Sequence, residues 1–293
     1  MSFHLEEVQI VYFSGTGGTK RIADAFYEEL KKREVGVSLI ELGEHDNELN
    51  EKGEPAGFYI LLFPVYAFDA PGLIYRWIES LEGGLSGKRA AVISVSGGGE
   101  VWPNTGCRNG CRNGLEKKGV KVVYEGMMCM PANLAVKIND DLAMWMIRAI
   151  PQKVSLIVDD LFSGIERRTK YKKGPVCEYI TRLERRKGHL FAQSLRITDA
   201  CESCGWCESH CPACNIRMTG EPSRPVFMDQ CMVCLRCIYG CPFGAIRCEN
   251  SVIFQEGFNL DEVEKRMEGK ELKPVKQCCT GLLLSGVKKY LLE

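Results

Sequence analysis

Two copies of one cysteine pattern lie 30 residues apart in this chain of 293 residues. Each copy has three cysteines at intervals of three residues and a fourth, followed by proline, four residues further on. This spacing is typical of a pair of 4Fe-4S clusters, in which three thiolates of a copy bind one cluster and the cysteine before the proline binds the other. The predicted ligand sets are Cys201, Cys204, Cys207 and Cys241 for one cluster, and Cys231, Cys234, Cys237 and Cys211 for the second.

Structural zinc and a disulfide framework are the alternative interpretations of these cysteines. Zinc ligands usually come as two pairs, whereas each copy here supplies a triplet and a fourth cysteine. Disulfide frameworks are typical of small secreted chains, and no apolar leader opens this sequence. Ten of the 16 cysteines also fall between Cys201 and Cys248, which concentrates them in one region. Both alternatives therefore account for the pattern less well than iron–sulfur clusters do.

The stretch from Leu195 to Glu249 resembles a bacterial-type two-cluster ferredoxin, and its second cysteine copy ends in Cys-Pro-Phe-Gly-Ala-Ile. The first copy departs from that ending, because Cys214 comes two residues after Pro212 and puts a ninth thiol close to one cluster. Cys214 is therefore an alternative ligand at that corner, and Cys248 raises the same question at the other end. We leave both outside the predicted ligand sets, because a free cysteine is more often a small buried apolar residue.

About 165 residues precede this region, and they alternate between strand-like and helix-like patterns. The predicted strands are Val8 to Phe13, Gly36 to Glu41, Gly57 to Phe63, Arg89 to Val95 and Lys121 to Met127. Apolar residues at helical spacing are Ile22, Phe26 and Leu30; Leu73, Trp77, Ile78 and Leu81; and Val154, Ile157, Val158, Leu161, Phe162 and Ile165. Pro151 is expected in the first turn of the last helix. This alternation predicts an α/β fold with a five-stranded, doubly wound parallel sheet that is covered on both faces.

The first predicted strand runs directly into a loop rich in glycine and hydroxyl groups, and a helix follows. Glycines let several backbone N–H groups converge, and a helix N-terminus adds partial positive charge, so this loop suits a phosphate. A dinucleotide fingerprint fails because Lys20 occupies the third glycine position, and a nucleoside-triphosphate loop cannot be aligned. The loop instead resembles the phosphate loop of flavodoxins. This resemblance implies that the terminal phosphate of FMN binds Ser14, Gly15, Thr16, Gly17, Gly18 and Thr19.

Two further loops follow the third and fourth predicted strands, where a flavodoxin-like fold would hold the flavin ring. They contain Pro64, Val65, Tyr66, Ala67 and Phe68 in the first, and Ser96, Gly97, Gly98 and Gly99 in the second, with Trp102 shortly after. Glycine N–H groups can contact the ring edge and aromatic side chains can stack on its face, but core packing explains each aromatic residue singly about as well. A nicotinamide nucleotide is the alternative ligand, and its only hint of a ribose partner is Glu41 at the end of the second strand.

Taken together, these features resemble a family of anaerobes in which a flavodoxin-like domain precedes a small α+β ferredoxin domain with two clusters. The resemblance also includes the segments Gly97 to Glu100, Asn104 to Arg108 and Met130 to Asn133. We expect four parts: a flavodoxin-like FMN domain (1–165), a basic connector (166–194), a two-cluster ferredoxin domain (195–250) and a helical C-terminal tail that packs back (251–293).

Composition and charge restrict the partners of the chain. The 38 basic and 38 acidic residues balance, so the net charge does not indicate a nucleic-acid partner. No run approaches the roughly 18 consecutive apolar residues of a membrane span, and we expect a cytoplasmic protein. Five basic residues of the connector form either a solvated face or a docking patch for an acidic redox partner. They are Arg167, Arg168, Lys170, Lys172 and Lys173, and a second basic group follows them in the connector, Arg182, Arg185, Arg186 and Lys187.

The family resemblance implies an electron-transfer flavoprotein. FMN accepts electrons singly or in pairs and a cluster passes one, so a chain that holds both can exchange electrons with a redox partner protein, a ferredoxin or a downstream reductase. Two alternatives remain open, an FMN-dependent reductase of a small molecule fed by its own clusters and an iron–sulfur redox sensor. No catalytic residue is predicted, and for Cys107, Cys111 and Cys129 core packing is favoured over a redox role.

Overall fold

The computed structural model describes residues 5–43, 56–133, 138–170, 174–186, 188–248 and 259–293. Its largest sheet consists of the parallel strands β1 (Glu7–Tyr12), β2 (Gly36–Glu41), β3 (Phe58–Pro64), β4 (Arg89–Ser96) and β5 (Lys121–Cys129). Their order, β2-β1-β3-β4-β5, is that of the flavodoxin-like doubly wound fold. The predicted α/β architecture is therefore confirmed. Strand order reverses between β1 and β3, which is where such folds bind ligands.

Helices cover both faces of this sheet. They are α1 (Gly18–Lys32) and α4 (Asp140–Phe162) on one face, and α2 (Gly72–Ser80) and α3 (Asn109–Lys117) on the other. The predicted apolar positions Ile22, Phe26 and Leu30 of α1 are all buried. Six of the seven residues of β3 are buried, because this central strand lies under helices on both sides.

The long helix α4 begins earlier than predicted. Asn139 caps it by accepting a hydrogen bond from the Leu142 N–H at 2.8 Å, and the buried apolar face starts there and continues to Ile150. Pro151 lies inside the helix and not in its first turn, so that prediction was wrong. The cap and the buried face upstream outweigh the one N–H donor that a proline lacks. The helix ends at Phe162, so that Ile165 lies beyond it.

The connector begins as a short segment that extends the sheet past β5. The Arg167 N–H donates to Val123 O at 3.0 Å, and the Glu125 N–H donates to Arg167 O at 2.7 Å. The Thr169 N–H then donates to the carboxylate of Glu125 at 2.7 Å. These bonds satisfy backbone groups at the sheet edge, so the first residues after α4 are held by the α/β part of the chain.

Two of the five basic connector residues are engaged with acidic residues of this chain. Arg167 forms an ion pair with Glu100 at 2.8 Å, and Arg168 forms one with Glu116 at 3.0 Å. Their charges are therefore partly neutralised within the molecule. Lys172 and Lys173 lie outside the described residues.

The remaining connector is helical and leads into a small α+β part, here called the cysteine unit (residues 195–248). The connector contains α5 (Pro175–Arg186) and α6 (Gly188–Gln193). The cysteine unit contains β6 (Leu195–Ile197), α7 (Trp206–Ser209), β7 (Ile216–Thr219), β8 (Arg224–Phe227), α8 (Arg236–Tyr239) and β9 (Ile246–Cys248). β6 pairs with β9 and β7 pairs with β8, both antiparallel, so the first and last strands of the unit are joined.

The C-terminal segment packs against α4. It contains α9 (Leu260–Met267), α10 (Val275–Cys278) and α11 (Ser285–Leu292). Trp145 Nε1 donates to Lys273 O at 2.8 Å, and Arg266 forms an ion pair with Asp140 at 2.9 Å. Val287 of α11 is fully buried in an apolar cluster that α4 forms with the three C-terminal helices. None of the helices in the described ranges has the length and apolar character that crossing a membrane requires.

The buried ion pair at the sheet edge gives a test of this packing. Arg112 pairs at 2.7 Å with Glu125, whose side chain is fully buried. We expect Arg112→Met to leave that carboxylate without its cation and to lower the free energy of unfolding by about 3–5 kcal/mol. Urea unfolding followed by circular dichroism measures the change. As the control, Lys265→Met removes an exposed pair with Glu262 at 3.2 Å and should cost less than about 1 kcal/mol. Equal losses in the two variants would contradict this account.

Candidate functional site

The cysteine unit contains two cavities, and each is lined by four cysteines taken from both sequence copies. The first is lined by Cys201, Cys204, Cys207 and Cys241. The second is lined by Cys211, Cys231, Cys234 and Cys237. These are the two groups that the spacing predicts, with the cysteine before each proline on the opposite cavity. The structure thus brings the predicted residues together, and iron binding by them stays a prediction.

Both copies wrap their cavity with the same backbone conformation. Ser203 and Val233, which are 30 residues apart, have φ angles of 55° and 56°. Gly205 and Leu235, the next equivalent pair, have φ angles of 72° and 63°. This left-handed region is unfavourable for leucine and especially for a β-branched valine, and such strain persists where the surroundings impose it, often at binding sites. The repeat is therefore structural as well as sequential.

Backbone N–H groups point at several of the cysteine sulfurs. The Asn215 N–H donates to Cys211 Sγ at 3.2 Å, and its equivalent in the second copy, the Ala245 N–H, donates to Cys241 Sγ at 3.4 Å. Such bonds favour the thiolate over the thiol and tune the potential of a bound cluster. Each of these two sulfurs lines the cavity that contains the cysteine triplet of the other copy. The hydrogen bonds show that the backbone orients both sulfurs in addition to burying them.

The walls of both cavities are mainly apolar. Apart from the cysteines, the first cavity is lined mainly by apolar groups such as Met218 and Ile246, and the second by groups such as Phe191 and Phe227. Within the ranges that the structure describes, no three His, Cys, Asp or Glu side chains converge closely enough to hold one metal ion. A cluster instead spreads its iron atoms, so that each thiolate binds a different one. Four thiols around an apolar cavity suit that geometry.

Burial favours the protonated form of three of the cavity thiols in the absence of iron. It raises the pKa of Cys207 to about 11 and that of Cys234 to about 12, and it raises the pKa of Cys237 well above the ordinary thiol value. Because only a thiolate binds iron, filling either cavity must release these protons. Cluster binding and thiol deprotonation are therefore linked.

The two extra thiols of this region lie elsewhere. Neither Cys214 nor Cys248 lines either of the two cavities described above. Cys248 is on β9 with its Sγ 3.3 Å from Ser194 Oγ, and Cys214 takes a left-handed φ of 45°, close to the 57° of its equivalent Gly244. Their positions agree with leaving both outside the predicted ligand sets.

The three thiols of the α/β part are buried among apolar residues. Cys107 and Cys111 are fully buried in the core beneath α2 and α3, and Cys129 is buried where β5 ends. Burial raises the pKa of Cys107 to about 11, which disfavours the reactive thiolate. Core packing therefore explains these residues.

The predicted phosphate loop follows β1 and leads into α1. Ser14 Oγ accepts a hydrogen bond from the Lys20 N–H at 3.2 Å, and Gly17 takes a φ of 91° as the N-cap. Gly17 has no side chain with which to cap the helix, so the N–H groups of Gly18 and Thr19 remain available to an anion, whereas the Lys20 N–H is held by Ser14. The Thr16 hydroxyl accepts from Asn133 Nδ2 at 2.7 Å. The Lys20 ammonium group is engaged outside the loop, because its Nζ pairs with Asp24 at 3.0 Å.

The loop after β3 lies beside the phosphate loop. The backbones of Tyr66 and Asp69 exchange two hydrogen bonds of 2.9 and 3.0 Å, which folds Tyr66 to Asp69 into a tight turn. Ala67 and Phe68 take φ angles of 46° and 64° inside it. From the connector, Thr181 Oγ1 donates to Ala67 O at 2.7 Å. This predicted ring loop is therefore held in a strained shape by α5.

The glycines of the loop after β4 pack closely against other parts of the chain. Ser96 Oγ accepts from the Gly98 N–H at 3.2 Å. A Cβ added to Gly97 would lie 2.5 Å from the Cβ of Ala132, and one added to Gly99 would lie 2.5 Å from the backbone of Gly286 on α11. Glycine is thus required here by the chain itself. Trp102, a predicted stacking residue, is 71% exposed, so core packing does not explain it.

These three loops follow β1, β3 and β4, which are adjacent in the sheet. Their carboxyl ends therefore meet at one edge of the sheet, next to the reversal in strand order. Ser14 to Thr19, Pro64 to Phe68 and Ser96 to Gly99 are brought to a common region, as the flavodoxin-like arrangement requires. Glu41, considered as a ribose partner, instead accepts from the Tyr12 hydroxyl at 2.9 Å and pairs with Arg236 at 2.8 Å.

The second cysteine copy lies directly on the phosphate loop. A Cβ added to Gly15 would lie 2.6 Å from Cys234 O and even closer to the Tyr66 hydroxyl. Arg236, two residues after Cys234, donates to the carbonyl oxygens of Ser14 and Gly15. Sequence reasoning missed Arg236. The available signal was that a charged residue here replaces the Trp206 of the first copy.

The chain was compared with protein-family models, curated proteins and solved structures. No family model matches it, and no curated protein does. Among solved structures it is similar to flavodoxin 2 of Bacillus cereus (20% identity, TM-score 0.38) and to flavodoxins of Pseudomonas aeruginosa (13%, 0.39) and Fusobacterium nucleatum (16%, 0.34), the last bound to flavin mononucleotide. These matches cover 53%, 54% and 53% of this chain and 99%, 98% and 98% of the flavodoxins. The fold assignment itself rests on the strand order.

The contact at Gly15 gives a test of the site geometry. We expect Gly15→Ala to push the phosphate loop away from Cys234 and Tyr66 and to lower the free energy of unfolding by about 1–3 kcal/mol. Gly18→Ala is the control, because its Cβ would meet Met130 at an ordinary 3.5 Å inside a helix, where alanine is favoured over glycine. Urea unfolding of both variants measures the difference. A Gly15→Ala protein as stable as the Gly18→Ala protein would show that the two loops do not touch.

Proposed function

We propose that this protein is an electron-transfer flavoprotein that passes electrons between FMN and two 4Fe-4S clusters, and to or from a redox partner protein. The observation that carries the proposal is the contact of Gly15 with Cys234, where the phosphate loop meets the second group of four cysteines. A phosphate loop alone would fit many nucleotides. Its contact with a cysteine-lined cavity favours a cofactor that exchanges electrons with an iron–sulfur cluster.

In this proposal the three loops bind different parts of FMN. The N–H and hydroxyl groups of Ser14 to Thr19 suit the phosphate, because they lie at the N-terminus of α1. The loops Pro64 to Phe68 and Ser96 to Gly99 flank the place of the ring. Glu41, the one hint of a ribose partner, is already engaged by Tyr12 and Arg236, which favours FMN over a nicotinamide nucleotide. When bound, FMN supplies the exchange between paired and single electrons.

The two cavities differ in their access to flavin and to solvent. The second cavity touches the phosphate loop through Cys234, which is buried. The first cavity is lined by Cys204 and Phe243, which are exposed. We therefore place the second ligand set next to the flavin and the first at the surface where a partner protein exchanges electrons. In this proposal the flavin, the second ligand set and the first ligand set form a series that runs from the buried site to the protein surface.

An anaerobic reductive titration tests the full set of cofactors. We expect about four electrons per chain, two for flavin and one for each cluster. Absorbance follows the flavin and electron paramagnetic resonance follows the clusters. About two electrons with cluster signals alone would remove FMN from the proposal, and about two with flavin signals alone would remove the clusters.

Cysteine variants test the ligand sets. Cys204→Ala and Cys231→Ala each remove one predicted ligand from a different cavity, so we expect each to lower the iron content from about eight to about four atoms per chain. Cys214→Ala is the matched control and should keep about eight iron atoms, since Cys214 lies off both cavities. Iron and acid-labile sulfide are measured on anaerobically reconstituted protein. Loss of iron in the control variant alone would reassign that corner of the cluster to Cys214.

A further inference from the structure

The two ends of helix α8 are both linked to the phosphate loop by hydrogen bonds. The helix begins inside the second cysteine copy, between Cys234 and Cys237, so its position is tied to the second cavity. Its first residue contacts the start of the phosphate loop, and its last residue, Tyr239, is linked to the middle of that loop. A single turn of helix therefore connects the predicted cluster ligands with the predicted flavin site.

The grip at the start of the loop is made by the Arg236 guanidinium. Its Nη2 donates to Ser14 O, and its Nε donates to Gly15 O at 3.4 Å. The same Nη2 pairs with Glu41 at 2.8 Å, and the guanidinium carbon lies 5.8 Å from the centre of the Phe13 ring. Hydrogen bonds from a charged donor are stronger than neutral ones, and the planar guanidinium fixes the direction of each bond.

The second grip runs through Asn133. The Tyr239 hydroxyl donates to Asn133 O at 2.8 Å, and Asn133 Nδ2 donates to the Thr16 hydroxyl at 2.7 Å. The two ends of α8 thus act on three consecutive loop residues, Arg236 on Ser14 and Gly15 and Tyr239, through Asn133, on Thr16. The loop conformation depends on where the second cysteine copy places its helix.

The equivalent helix of the first copy makes no such contact within the described ranges. Trp206 occupies the position of Arg236, and its ring stacks on His210 with centroids 4.2 Å apart and planes 10° apart. The same ring also packs against the backbone of Gly240. Trp206 thus stabilises the cysteine unit internally. The repeat has diverged at this one position between internal packing and a contact with the α/β part.

The two carbonyl bonds decide the direction of the loop's donors. In a trans peptide the C=O and the following N–H point in opposite directions. When Arg236 holds the carbonyls of Ser14 and Gly15, the N–H groups of Gly15 and Thr16 must face away from Arg236, toward the open side of the loop. Those N–H groups are therefore oriented before any anion arrives, and a preorganised donor binds more tightly.

We propose that Arg236 is a positioning residue for the flavin phosphate and that it makes the second cysteine copy part of the flavin site. This inference rests on the proposed function and adds a residue and a specificity to it. Because the two loop carbonyls that Arg236 holds belong to the predicted phosphate-binding residues, its removal must weaken the binding of FMN and spare that of riboflavin, which has no phosphate.

The test compares FMN and riboflavin binding to the anaerobic holoprotein by flavin fluorescence. We expect Arg236→Met to raise the Kd for FMN roughly tenfold to a hundredfold, the effect of losing bonds to a charged donor, and to change the Kd for riboflavin less than about twofold. Arg236→Lys should recover part of the loss. Arg33→Met is the matched control: its side chain is 24% exposed against 21% for Arg236, and it forms ion pairs with Glu29 and Asp159 at 2.7 and 2.8 Å at the far end of α1.

Three outcomes would overturn the inference: an unchanged Kd for FMN, an equal loss for FMN and riboflavin, or the same loss in Arg33→Met. If the wild-type protein binds neither flavin, the proposed function fails, and the positioning role is then judged by amide hydrogen exchange of residues 13–20. Exchange there must rise in Arg236→Met and stay unchanged in Arg33→Met. Equal exchange in the two variants would reject the positioning role, whatever the flavin result.

Discussion

The organisation of this protein depends on one backbone contact, that of the phosphate loop with the second cysteine copy. Gly15 allows it, because a side chain at this position would overlap Cys234 O and the Tyr66 hydroxyl. Arg236 then holds the two segments together with hydrogen bonds to backbone carbonyls. In the function that we propose, electrons pass between the flavin and the nearer cluster across this contact. Loops held in this way on a rigid sheet are the usual place for binding residues.

An internal repeat has been adapted to two tasks by a few side chains. The left-handed residues recur at the same positions in both copies, so both cavities have the same backbone wrap. The position of Trp206 in the first copy is that of Arg236 in the second. The tryptophan packs within the cysteine unit, and the arginine reaches the α/β part. One copy thus faces solvent through Cys204 and the other faces the phosphate loop.

Close packing of glycine also ties the C-terminal segment to the loop after β4. Gly99 approaches the backbone of Gly286 so closely that neither position has room for a Cβ. On the other side of this loop, Gly97 packs so closely against Ala132 that a side chain at Gly97 would overlap it. The loop predicted to contact the flavin ring is therefore shaped by α11 from a distant part of the chain. Its glycines are explained by this packing even before any ligand is considered.

Features that depend on residues close together along the chain could be predicted from the sequence. The cysteine grouping followed from spacing, because ligand reach is short, and the α/β architecture followed from apolar periodicity and from the loop after the first strand. Two other features, the start of α4 and the contact of Arg236, depend on how distant parts of the chain pack together. The start of α4 was misplaced at Pro151, since a distant cap and a buried face outweigh one proline. Arg236 contacts Gly15 across 221 residues, and no local pattern can show which of two equivalent positions will meet the sheet when the parts pack together.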